Sequence, residues 1–204
     1  EIYKLTLWGS LVNFLLLVFK FVAGFLGNSA AMIADAVHSL SDFITDIIVI
    51  LFVRVSSMPK DENHHYGHGK YETLATAIIG VVLFAVGVGI LVNAVETIID
   101  FFHGKELAAP NIWALGAAAV SIVFKEALYQ YTVYKGKNLN SNALMANAWH
   151  HRSDALSSIG TLLGISGAMF LGEKWRVLDP IAAFLVSIFI LKVAIELTKA
   201  SLEE

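Results

Sequence analysis

An all-α membrane protein, built as a bundle of six transmembrane helices with both termini in the cytoplasm, is the fold class this sequence predicts. Three observations predict it. The 204 residues are 57% hydrophobic and only 15% charged, whereas a soluble domain carries about a quarter charged residues. Mean hydropathy is +0.69. The apolar residues also gather into six stretches, each near the roughly 20 residues a spanning helix needs. The polar segments between them are too short for a separate soluble core, so residues 1–204 read as one transmembrane domain. A net charge of −3 gives no reason to expect a nucleic-acid partner. With no cysteine, disulfides, thiolate ligands and iron–sulfur clusters are excluded. The chain opens without an initiator Met directly into apolar sequence, so its ends are expected to be trimmed.

In order, the spans are expected at about 5–26, 32–54, 72–99, 112–134, 142–171 and 178–197. The first is interrupted by Asn13 and Lys20, and Gly27-Asn28-Ser29 turns it into the second. The longest polar segment, 56–71, separates the second span from the third. The fourth span contains Lys125 and Glu126, adjacent residues that cannot face each other, so each needs a partner elsewhere. In the fifth, Gly160, Gly164 and Gly167 form a small-residue face that permits close helix approach. Basic residues near the span ends set the orientation. Lys4, Arg54, Lys60, Lys70, Lys135, Lys137 and Lys199 fall on one side, against Lys105, Lys174 and Arg176 on the other. The first side, with both termini, is therefore expected in the cytoplasm.

The second span is where the chemistry concentrates. Asp35, His38, Ser39, Asp42 and Asp46 stand among Ala, Val, Leu, Ile and Phe, at steps that place them in one stripe of a helix. Ionisable groups at bilayer depth are costly, so they face a bundle interior or a water-filled path. The fifth span repeats the pattern at His150 and Asp154. Two His/Asp pairs at i and i+4 on two helices can supply four ligands to one divalent ion. Imidazole nitrogen and carboxylate oxygen suit first-row ions, and four such donors match tetrahedral Zn²⁺. Two carboxylates also balance the double charge of the ion. Asp42 lies 12 residues from Arg54 and Asp154 lies 13 from Ser141, which puts both roughly 18–20 Å from the cytoplasmic edge. Simple hydrogen bonding across helices is the alternative, and two pairs at matching depth argue against it. Protons compete with metal for imidazole and carboxylate, so a site opening first to one side and then to the other would exchange metal for protons.

Around this core the assignments are less specific. Asp46 is a possible auxiliary ligand, and Asp35 accepts hydrogen bonds near the outer mouth or ligates. Arg152 is expected to pair with an acid. In the segment between the second and third spans, Asp61, His64 and His68 are spaced to close around a second ion, with His65 a possible substitute and Gly67 and Gly69 allowing the turn. A membrane-embedded metal enzyme is disfavoured, because the His-Glu-x-x-His pattern is absent and four protein ligands leave zinc no position for water.

Three motifs together resemble the cation diffusion facilitator family of divalent-metal transporters. They are Ala34-Asp35-Ala36-Val37-His38-Ser39-Leu40-Ser41-Asp42, then Asp61-x-x-His64-x-x-Gly67-His68-Gly69-Lys70, then His150-His151-Arg152-Ser153-Asp154. The resemblance covers essentially the whole chain. It implies a homodimeric proton antiporter, not an enzyme, that exports a divalent cation from the cytoplasm. His38, Asp42, His150 and Asp154 would be its transport site, and Asp61, His64 and His68 its cytoplasmic loop site. It implies zinc as the cargo, with iron, manganese, cobalt and cadmium as alternatives; a non-transporting metal-sensing scaffold on the same fold is the rival reading. The family's cytoplasmic C-terminal domain is not part of residues 1–204, which stop just past the sixth span; either it has been trimmed away or this member lacks it. The connection between the fourth and fifth spans is short and lacks histidine, which favours the plasma membrane of a prokaryote.

Overall fold

A computed structural model describes the backbone of residues 2–56, 69–138 and 142–203, and the side chains of most residues within 9–44, 77–138 and 148–199. Among the described residues there are six α-helices and no strand: α1 (Ile2–Leu26), α2 (Ala30–Ser56), α3 (Gly69–Phe102), α4 (Ile112–Asn138), α5 (Asn142–Phe170) and α6 (Leu178–Glu203), with one 3-10 turn at Glu173–Trp175 before α6. Each coincides with one expected span, and most run a few residues beyond it. Among the described residues, four segments are long and apolar enough to cross a membrane: Gly9–Leu26, Ala77–Phe102, Ile112–Asn138 and Glu173–Lys199. α2 and α5 carry the ionisable residues of the two motifs.

The interior is made of small side chains. One cluster joins Ala23, Ala31, Met32, Ala114, Ala117, Ala118, Ile165 and Ala182; a second joins Ala34, Val37, Leu83, Ala94, Ala183, Val186, Ile190 and Ala194. Many of the large apolar side chains point outward instead, among them Leu15, Phe25, Val81, Leu163 and Phe189. Lipid tails solvate such groups as well as a protein core does, so helix association rests on close backbone approach. Gly164 shows this directly. A Cβ there would lie 2.5 Å from the Ala182 Cβ and 3.0 Å from the Leu178 carbonyl oxygen, so α5 and α6 meet where no larger residue fits. Gly167 also presses on Leu178, whereas Gly160 faces open space. The small-residue face is thus a contact surface at two of its three glycines.

α2 occupies the centre, touching α1, α3, α5 and α6, while α3 packs chiefly on α6 and α4 on α5. Its start is tightly held. Asn28 adopts φ 48°, the left-handed conformation Asn tolerates, and this turns the chain from α1 into α2. Ser29 Oγ accepts from the Met32 amide at 3.1 Å and donates to Asp179 Oδ1 at 2.5 Å. The Ala30 amide donates to Asp179 Oδ2 at 2.7 Å. An acid on α6 therefore completes the cap of α2, satisfying amides that the helix leaves open. The start of α4 is laced to the same corner, with the Asn111 amide donating to the Gly27 carbonyl at 2.9 Å and Asn111 Nδ2 to the Leu26 carbonyl at 2.8 Å. Asp179→Ala strips two hydrogen bonds from this cap and is expected to cost about 2 kcal/mol, read as a lower midpoint of thermal unfolding in detergent. An unchanged midpoint would show that the cap does not hold the two helices together.

Candidate metal site between α2 and α5

α2 and α5 run antiparallel, so successive turns of one meet successive turns of the other in reverse order. Asp35 on α2 faces Ser158 on α5, and His38 with Asp42 faces Asp154. The matched depths inferred for the two acids follow from this register. One ligand atom each of His38, Asp42 and Asp154 lie within 4.8 Å of one another. His38 Nε2 is 3.9 Å from Asp42 Oδ2. Among the described residues, Asp42 Oδ2 and His38 Nδ1 are both buried without a hydrogen-bond partner. Buried polar atoms normally have partners, and each exception calls for an explanation such as an ion. Two carboxylates and an imidazole gathered in this way are acceptors and negative charge, which is the chemistry that holds a divalent cation.

His150 stands apart from that group. Its Nε2 is 3.8 Å from Asp154 Oδ2, but its side chain is 42% exposed and it does not close on His38 and Asp42. The antiparallel register is the reason. The position four residues before Asp42 lies toward one face of the membrane, and the position four residues before Asp154 lies toward the other. Three of the four expected ligands are therefore together, and the fourth flanks them on the open side. Asp46 has its backbone in α2, but its side chain lies outside the described residues, as do Asp61, His64, His65 and His68.

Two lysines enter this polar core. Lys125 of α4, 3% exposed, brings its Nζ to 3.2 Å from Asp154 Oδ2, which supplies the partner its position demanded; Glu126 instead accepts from Gln130 on the exposed side of α4. Lys20 of α1, fully buried, pairs with Asp35 at 2.6 Å and donates to Ser39 Oγ at 3.0 Å and Ser158 Oγ at 3.4 Å. Ser158 in turn donates to Asp35 at 3.1 Å. Asp35 thus accepts hydrogen bonds, as one of its two expected roles had it, but does so fully buried, in a closed ionic network linking α1, α2 and α5. In the sequence Lys20 stands out only as an interruption of the first span. A cation 16 positions into an apolar span needs a buried acid, and that requirement was the available signal.

The expectation for Arg152 is corrected. Its guanidinium donates to Tyr129 Oη at 2.9 Å and lies 4.7 Å from the centre of that ring, with Trp149 at 5.7 Å. A guanidinium is weakly hydrated and stacks on aromatic faces, so a cation–π cage replaces the acid.

A cavity of about 640 Å³ opens elsewhere, at the end of the bundle where α1 turns into α2, lined by Asn28, Ile33, Asn93, Thr97, Arg176 and Asp179 among others. None of the clustered ligands lines it. Ile33 is five residues before His38, about 7.5 Å along α2.

Helices of spanning length around a half-buried cluster of two acids and an imidazole are what a membrane protein that handles cations needs. Comparison with known proteins narrows the class. The cation efflux transmembrane domain matches residues 7–204. An uncharacterised transporter of Methanocaldococcus jannaschii is 40% identical over 205 residues, covering the whole of this chain and 69% of its own. The manganese efflux system protein MneP of Bacillus subtilis is 35% identical, over 98% of this chain and 67% of its own length. Metal tolerance protein C1 of Arabidopsis thaliana is 38% identical, over 92% and 41% respectively. The chain belongs to the cation diffusion facilitator family of membrane metal-efflux transporters.

Proposed function

We propose that this chain is the transmembrane domain of a proton-coupled antiporter, and that it moves a divalent cation out of the cytoplasm by alternating access through His38, Asp42, Asp154 and His150. The observation that carries the reading is the meeting of His38, Asp42 and Asp154 within 4.8 Å between two helices. His150 joins as the fourth ligand by a small inward movement of an already adjacent side chain. Protons oppose loading, because the metal needs neutral imidazole and ionised carboxylate. Acid on the releasing side therefore unloads the ion, and the protons return with the empty site. With both termini cytoplasmic, the cavity beside Ile33 lies on the outer side and serves as the exit vestibule. Asp61, His64 and His68 form an accessory site on the cytoplasmic side. Two chains assemble as a homodimer in the plasma membrane of a prokaryote.

Zinc is the first candidate for the cargo, because two imidazoles and two carboxylates suit its tetrahedral preference. Manganese is the second, favoured by the similarity to the manganese efflux protein of B. subtilis. A competition series in proteoliposomes separates them: zinc, cadmium, manganese, iron and cobalt, each with and without a pH gradient. Uptake is expected to require the gradient and to vanish in His38→Ala and Asp154→Ala. Flux that ignores the gradient would indicate a channel, and binding without flux a metal-sensing scaffold.

A further inference from the structure

Lys125 is unlike the other buried lysine. Lys20 is fully engaged with Asp35, Ser39 and Ser158. Among the described residues, the polar contact of the Lys125 ammonium is Asp154 Oδ2, at 3.2 Å. That oxygen also faces His150 Nε2 at 3.8 Å. A positive charge therefore rests directly on an acid that the cation site needs. The Lys20–Asp35 pair is neutral, so among the described residues the charge balance of the core is set by Asp42, Asp154 and Lys125. With neutral imidazoles, the empty site carries one net negative charge. A divalent ion added beside a stationary ammonium would make it one net positive, with two cations sharing one carboxylate in a poorly solvated interior.

We propose that Lys125 is a tethered counter-cation: its ammonium occupies Asp154 while the site is empty, and the entering divalent ion displaces it. The inference rests on the site assignment made above. A lysine suits the task because its ammonium is a compact point charge on a flexible four-carbon stem that can swing aside without unfolding a helix. Three consequences follow. The empty carrier returns across the membrane without a bare Asp154 carboxylate. Cargo is held less tightly than two acids alone would hold it, which favours release. A monovalent cation brings no more charge than the ammonium it would have to expel, and the ammonium is held at high effective concentration by its own chain. The site thereby selects for double charge.

The test uses the full chain in lipid nanodiscs, with Zn²⁺ as the probe and binding measured by titration calorimetry with and without Na⁺. Lys125→Met keeps the length of the side chain and removes its charge. It is expected to tighten Zn²⁺ binding by about tenfold or more, to make that binding sensitive to Na⁺, and to lower the maximal rate of vesicle uptake. Lys125→Arg, which keeps the charge, is expected to retain the Na⁺ insensitivity of the wild type. In the wild type itself, modification of Lys125 by a permeant amine reagent, read by mass spectrometry, is expected to rise when Zn²⁺ is added. This last readout decides the matter should Lys125→Met fail to give a monodisperse protein. Lys125→Met binding equal to or weaker than wild type, or Lys125 modification unchanged by Zn²⁺, overturns the proposal. Loss of binding in Asp42→Asn with no tightening in Lys125→Met refutes the role of Lys125 alone. Binding that survives Asp42→Asn refutes the site assignment itself.

Discussion

Asp42→Asn is expected to lower affinity for the transported ion by at least about a thousandfold, on the order of 4 kcal/mol, the energy of two unit charges about 4 Å apart at an effective dielectric constant near 20. Uptake into vesicles should fall to the level of protein-free liposomes. Asp42 is the acid of the cluster without a described cationic partner, and its Oδ2 is buried with no hydrogen bond. Under the proposed function its charge is left for the cation that enters. For the same reason the variant should not unfold the protein. Asn keeps the shape of Asp and removes an uncompensated charge, so the thermal midpoint should stay the same or rise, as it does where function is bought at the expense of stability. A thermal scan beside the calorimetry checks both halves. Lost binding together with a lowered midpoint would mean that Asp42 is structural.

Lys20→Met should do the reverse. Lys20 and Asp35 are 0% and 1% exposed and pair at 2.6 Å, and removing one member of a buried pair leaves the other as an isolated charge. Such changes cost about 3–5 kcal/mol, whereas replacing both partners by apolar residues is often nearly neutral. Lys20→Met alone should therefore lower the unfolding midpoint sharply. Combining it with Asp35→Leu should recover most of the loss, a coupling that a double-mutant cycle isolates. If the double variant is as unstable as the sum of the singles, the pair does not act as a closed unit. The contrast between Asp42 and Asp35, two turns apart on one helix, is the contrast between a carboxylate oxygen with no hydrogen-bond partner among the described residues and a charge already paired.

The elements were legible because bilayer depth leaves so few options. A run of about 20 apolar residues must satisfy its own backbone, and a helix does so. The pairing of Asp42 with Asp154 was legible for a related reason, since two antiparallel helices entered from the same membrane face bring equal depths together. What could not be read was which neighbour each charge would meet. Asp35 shares a stripe with Asp42 but lies about 10 Å further along the axis, where the arrival of Lys20 from α1 and Ser158 from α5 depends on how three helices cross. Lys125 was visibly in need of an acid, yet several were available. Arg152 was assigned an acid because charge pairing is the simplest expectation, and the aromatic cage of Tyr129 and Trp149 is made by residues from two different helices. His150 matched the motif, and its place one turn to the side of Asp154, opposite to the side His38 takes from Asp42, follows already from counting depth along two antiparallel helices.

The most direct measurement is anomalous diffraction from crystals of the chain grown in lipid with Zn²⁺, or with Mn²⁺ in its place. The account predicts one strong peak between α2 and α5, about 2.0–2.2 Å from donor atoms of His38, Asp42 and Asp154, with His150 drawn in and the Lys125 ammonium withdrawn from Asp154. A metal bound elsewhere in the bundle, with these side chains unligated, would contradict it.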